Sequence, residues 1–161
     1  MSDGLTSRRR TIQKRIREIN KELVASAGAL QETLDEWLAL AREDGLLAFL
    51  AALANCYSRL VMRTPVDTGR ARAGWHIEGE VNEWKPEEGD YKDLVSERIA
   101  SEVGKLPALS KADIIYVMSN VEYILPLEAG WSKQSSGFWG LFITELEHQL
   151  QQAANSLRSK A

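Results

Sequence analysis

Few side chains in this sequence are suited to chemistry. His76, Glu78 and Glu80 alternate, so an extended strand would place them on one face, where they could offer three ligands to a metal. A water-facing strand with the same alternation is the plainer reading. The two histidines, His76 and His148, lie far apart, and His148 sits beside Glu147 on a predicted helix face. Cys56 is the only cysteine and falls inside an apolar stretch, where it reads as a small buried hydrophobe. No glycine-rich phosphate loop, nucleophile elbow or paired metal-ligand spacing occurs. The expectation is a chain that is no enzyme and needs no cofactor or metal.

Charge offers binding chemistry instead. Residues 1–24 carry seven Lys or Arg against three Asp or Glu, and the remainder thirteen against twenty, within a net charge of −3. The basic head consists of Arg8, Arg9, Arg10, Lys14, Arg15, Arg17 and Lys21. Such a segment could touch nucleic acid or an acidic partner surface. With Glu18 and Glu22 interspersed, it also reads as a solvated helix face.

Length and composition bound the rest. A chain of 161 residues, 44% hydrophobic and 27% charged, matches one ordinary globular domain. It is long enough to bury a core without disulfides, and its single cysteine makes a reducing compartment the simplest expectation. The longest apolar run, residues 46–53, is well short of the roughly 20 residues a bilayer span needs. No apolar core follows the polar N-terminal residues, so neither a secretion signal nor a membrane is expected.

The elements that must position these groups follow from periodicity. Ile12, Ile16, Ile19 and Leu23 make a helical stripe that resumes at Ala27, Leu30, Leu34, Leu38 and Ala41, with Gly28 between. Asp44 and Gly45 predict a break, with Asp44 capping a new helix. That helix carries Leu46, Phe49, Leu50, Leu53, Tyr57, Leu60 and Val61, and Pro65 should end it at Arg63 or Thr64. Over residues 71–81 a period of two predicts a half-buried strand, with Trp75, Ile77 and Val81 inward and His76, Glu78 and Glu80 outward. Residues 82–92 read as an exposed loop, and residues 93–105 as a short helix. Residues 114–119 read as a strand, resuming at 123–127 after a turn at Asn120. Phe138, Leu141, Phe142, Leu146, Leu150, Ala153 and Leu157 mark a final amphipathic helix after Gly137, expected to pack across a small sheet. The fold class is therefore α+β: a long N-terminal helical segment, then a small, mainly antiparallel sheet packed by a C-terminal amphipathic helix. The boundaries are a basic helical arm over 1–44 and a compact body over 45–161.

Two stretches invite an interface. Thr64-Pro65-Val66-Asp67-Thr68-Gly69-Arg70 is a helix-to-strand corner. Asp67 and Arg70 could make an intersubunit contact there, or merely close a turn with a local ion pair. Arg70 and Arg72 would share one side of an extended chain and face DNA phosphate or an acidic neighbour, or protect a strand edge. Farther on, Pro126 marks an edge strand or its end, and Glu128 beside Gly130 and Trp131 could anchor a loop. Trp131 and Trp139 are either core or a patch buried only in an assembly.

These two stretches carry a resemblance. Pro65-Val66-Asp67-Thr68-Gly69-Arg70-Ala71-Arg72-Ala73-Gly74-Trp75 resembles a P-V-D-T-G-x-x-R-x-x-W segment. Asn120-Val121-Glu122-Tyr123, followed by Leu127-Glu128-Ala129-Gly130-Trp131-Ser132-Lys133-Gln134, resembles an N-x-x-Y…L-E-x-G stretch with a loop and final helix. Both are similar to segments of the tail-completion or neck proteins of long-tailed bacteriophages, which join head to tail. The resemblance covers residues 59–150, and Ser135-Ser136-Gly137 stands where the family loop usually has proline before glycine. It implies a structural virion protein of the tail or neck, made in the host cytoplasm. Its expected partners are its own copies in a homo-hexameric ring and the head–tail connector, tail terminator or tail-tube proteins, with DNA in the neck channel as a further contact. Asp67, Arg70, Arg72, Trp75, Glu128, Trp131 and Lys133 would then serve the subunit or neck interface. The rival reading is a nucleic-acid-binding or regulatory helical protein that uses the basic arm.

Overall fold

The computed structural model of the chain describes residues 43–160 together with Lys14. Lys14 is helical and exposed. The rest of the basic arm, including Arg8, Arg9, Arg10, Arg15, Arg17 and Lys21, lies outside the described residues.

Helix α1 (Glu43–Arg63) leads into a single helical turn, α2 (Arg70–Ala73), and strand β1 (His76–Glu78). A 3-10 turn (Lys92–Leu94) opens α3 (Val95–Gly104), then α4 (Leu106–Leu109), β2 (Tyr116–Met118), α5 (Ile124–Glu128) and α6 (Phe138–Lys160) follow. The architecture is α+β. The sheet has two antiparallel strands, with Ile77 opposite Val117.

The core is shared by the two long helices and the sheet. Leu53, Cys56, Tyr57, Leu60 and Val61 of α1 meet Phe138, Phe142, Leu146 and Leu150 of α6, with Trp75 and Ile77 closing one end. By length and composition Gly45–Arg63 could cross a bilayer, with a mean hydropathy of 1.5. Here it serves as the core helix. Its rows of apolar residues are wide because α6, α3, α4 and α2 all pack on it.

Proline ends α1 at Arg63, as expected. Asp44 does not cap it, because the helix already includes Glu43 and Asp44. The strand predicted over 71–81 is cut to three residues, and the first part of that stretch is the turn of helix α2. Alanine and arginine are good helix formers, and over these four residues that propensity outweighs their alternation. The predicted strand over 123–127 is α5. Pro126 falls in the first turn of that helix, where its missing N–H would have had no helical partner anyway.

Candidate functional site

The corner after α1 is built from buried polar bonds. The Thr64 hydroxyl donates to the Leu60 carbonyl (2.9 Å) and accepts from the Trp75 indole N–H (2.8 Å). The Tyr57 hydroxyl donates to the Trp75 carbonyl at 2.8 Å. Trp75 is thus gripped at both its indole and its backbone, and its ring stacks on Trp139 with centroids 5.2 Å apart. The Arg72 guanidinium donates to the carbonyls of Thr64 (2.7 Å) and Met62 (2.9 Å). These are carbonyls that a helix C-terminus leaves without partners, and a cation is favoured there by the helix dipole.

Gly69 makes the corner possible. Its φ is 79°, and a Cβ would lie 2.8 Å from the Lys92 backbone nitrogen. That close approach lets the Tyr91 N–H donate to the Thr68 carbonyl at 2.6 Å. Arg70 then turns inward: its Nε–H donates to the Pro86 carbonyl (2.9 Å) and its Nη1 to Glu122 (3.1 Å), with the guanidinium 5.7 Å from the Tyr123 ring centre. Lys85 also pairs with Glu122. The hydrogen bond from Lys85, with Arg70 and a local backbone bond, pulls the Glu122 carboxyl down from 4.5 to about 2.

A second link joins the corner to the loop before α6. The Gln134 amide accepts from the Val66 N–H (2.9 Å) and donates to the Val66 carbonyl (2.6 Å), closing both backbone groups of one residue. Glu128 is buried, and its carboxylate accepts the N–H groups of Trp139 (3.0 Å) and Gly140 (3.3 Å). A carboxylate at a helix N-terminus satisfies orphan donors and complements the dipole. The positive φ of Gly130 and of Gly137 turns the intervening loop.

These bonds reassign most of the expected interface residues. Trp75 and Glu128 are buried inside the fold and hold the corner and α6. Arg70 and Arg72 do not share one side of an extended ribbon, since both lie in the turn of helix and each is committed to an internal partner. Arg70 pairs with Glu122 rather than with Asp67, so the ion pair that closes the corner is long-range. Asp67, Trp131 and Lys133 are exposed, with Trp131 at 52%. The expected trio on one strand face is not assembled either. His76 is buried under the 79–91 loop, with its ring nitrogens facing the Gly74 carbonyl and the Asn82 Oδ1 and its ring edge-on to Trp84. Glu78 pairs with Lys105. Cys56 is fully buried, and burial pushes its thiol up to about 11, which keeps it protonated and unreactive.

Two grooves border the corner. One, of about 650 Å³, lies between residues 65–71 and the loop carrying Trp131, Ser132 and Gln134, with Glu88 and Tyr123 on its walls. The other, of about 620 Å³, is mostly apolar and runs from Val117 and Met118 past Leu125 to Trp139 and Ile143. Glu122 and Gln134, which do much of the joining, are not among the residues expected at the interface, although both lie within the two stretches that carry the resemblance. Comparison with family models, curated proteins and solved structures finds no match to this chain.

Proposed function

We propose that this chain is a structural subunit of the neck of a long-tailed bacteriophage, completing the tail and joining it to the head as one member of a closed ring. One observation supports this reading above the others. The two stretches that carry the resemblance, far apart in sequence, fold into one corner through the Arg70–Glu122 pair and the Val66–Gln134 amide bonds. Their exposed members, Asp67, Trp131 and Lys133, are left on its outer side. A ring built from heterologous contacts needs such a rigid, self-supported feature, because each subunit presents one surface to a different surface of the next. In this proposal the protein has no catalytic role. The outer side of the corner meets a neighbouring copy or the next ring, whether connector, tail terminator or tail tube, and the basic arm faces a partner or DNA in the channel.

The test is mass-spectrometric quantification of the chain in purified tailed particles from its source, against portal and tail-tube proteins. The homo-hexameric ring that the resemblance implies predicts about six copies per particle. Absence from complete particles would overturn the proposal. The arm, and salt-sensitive binding of DNA by the isolated protein, would then become the place to look.

A further inference from the structure

We propose that the groove between residues 65–71 and the Trp131 loop receives the arginine run Arg8, Arg9 and Arg10 of a second copy of this chain. Its volume of about 650 Å³ falls in the range of ordinary binding clefts. Its chemistry is selective. Trp131 is half-exposed on one wall, while Asp67 and Glu88 are exposed lining residues without an ion pair among the described residues. Arg70, the cation in the wall, is already paired with Glu122. A half-exposed indole and two such carboxylates lining one groove match a guanidinium, which stacks flat on aromatic rings and bonds carboxylates in a bidentate fork.

The same sequence supplies the complement. Arg8, Arg9 and Arg10 are its only three consecutive arginines, in a head with seven basic against three acidic residues, while the rest of the chain is net acidic. A second copy is the occupant proposed here, because a contact between copies engages the basic head of one chain with the net acidic remainder of the next. The 32 residues between Arg10 and Glu43 are long enough to bring the run back to its own groove, and a chain that stays monomeric at every concentration would show that occupant instead. A head-to-groove contact between copies is heterologous and can propagate around a ring. This inference does not rest on the neck proposal, because purified chain suffices to read it.

The experiment is sedimentation of the full-length chain across a concentration series, at low and high salt. Four forms are compared: wild type, R8E/R9E/R10E, D67R/E88R and the combination of all five changes. Circular dichroism confirms that each is folded. The milder pair D67N/E88Q replaces D67R/E88R if that variant fails to fold. Wild type should self-associate, and each set of changes alone should weaken association roughly tenfold. With the arginine-bearing groove the combination should restore it. W131A should weaken association without a charge change. Equal association in every form would overturn the proposal, as would a wild type that stays monomeric. Loss in the arm variant with no loss in the groove variants would also overturn it, and would point to a different surface. A chain that associates as expected but is absent from particles would retire the neck proposal and leave this one standing.

Discussion

On the inner side of the corner, Thr64, Arg70, Arg72, Trp75 and Glu128 are all committed. Each makes a hydrogen bond within the chain, and all but Arg72 are buried. On the outer side, Asp67, Trp131 and Lys133 come from the same two stretches of sequence and are exposed. Stretches that resemble a family's segments therefore need not be binding surface throughout. The Arg and Trp positions of the resemblance fall on Arg72 and Trp75, and here they hold the end of α1. The residues free to meet a partner are the ones between and beyond these anchors.

That division can be tested by breaking it. Trp75→Ala should cost the most, about 3–5 kcal/mol in urea unfolding, because it empties a core position and strips the Thr64 hydroxyl of its donor. Glu128→Ala should cost about 1–2 kcal/mol by the same measurement, since it leaves the first N–H groups of α6 without their carboxylate.

Acid sharpens the comparison. The Glu122 carboxyl is held below its ordinary value of 4.5, at about 2, chiefly by Lys85 and then by its backbone bond and Arg70. A depressed carboxyl contributes stability above its unfolded value and loses it as pH falls through the folded one. The stability difference between wild type and Glu122→Gln should therefore be full above about pH 5 and shrink toward zero near pH 2. A difference that stays constant over that window would mean that the link between the two motif stretches does not depend on the ion pair.

The smallest effect belongs to the outer side. Trp131→Ala and Lys133→Ala should each change unfolding stability by no more than about 0.5 kcal/mol. In particles, the neck proposal expects the same substitutions to lower tail joining and infectivity. A Trp131→Ala chain as unstable as Glu128→Ala would erase the distinction between inner and outer residues.

The long elements, and the C-terminal end of α1, were legible in the chain alone, whereas the break expected at Asp44 and Gly45 was not there. Helical stripes marked α1, α3 and α6, Pro65 stopped α1 at Arg63, and the turn chemistry of Asp67 to Gly69 announced the corner. Those signals act within a turn or two of chain, so periodicity and breaker residues report them directly. The short elements were less legible. A single helical turn such as α2 spans too few residues to show a period, and Pro126 reads as a strand breaker until it is seen in the first turn of a helix. Tertiary structure alone decided the site. Whether Arg70 binds Asp67 nearby or Glu122 at a separation of 52 residues, and whether Gln134 reaches Val66 across 68, depends on which buried backbone and charged groups still need partners once the helices have packed. His76 shows the same limit. Its alternation pointed it outward, and the 79–91 loop folded over that face and buried it.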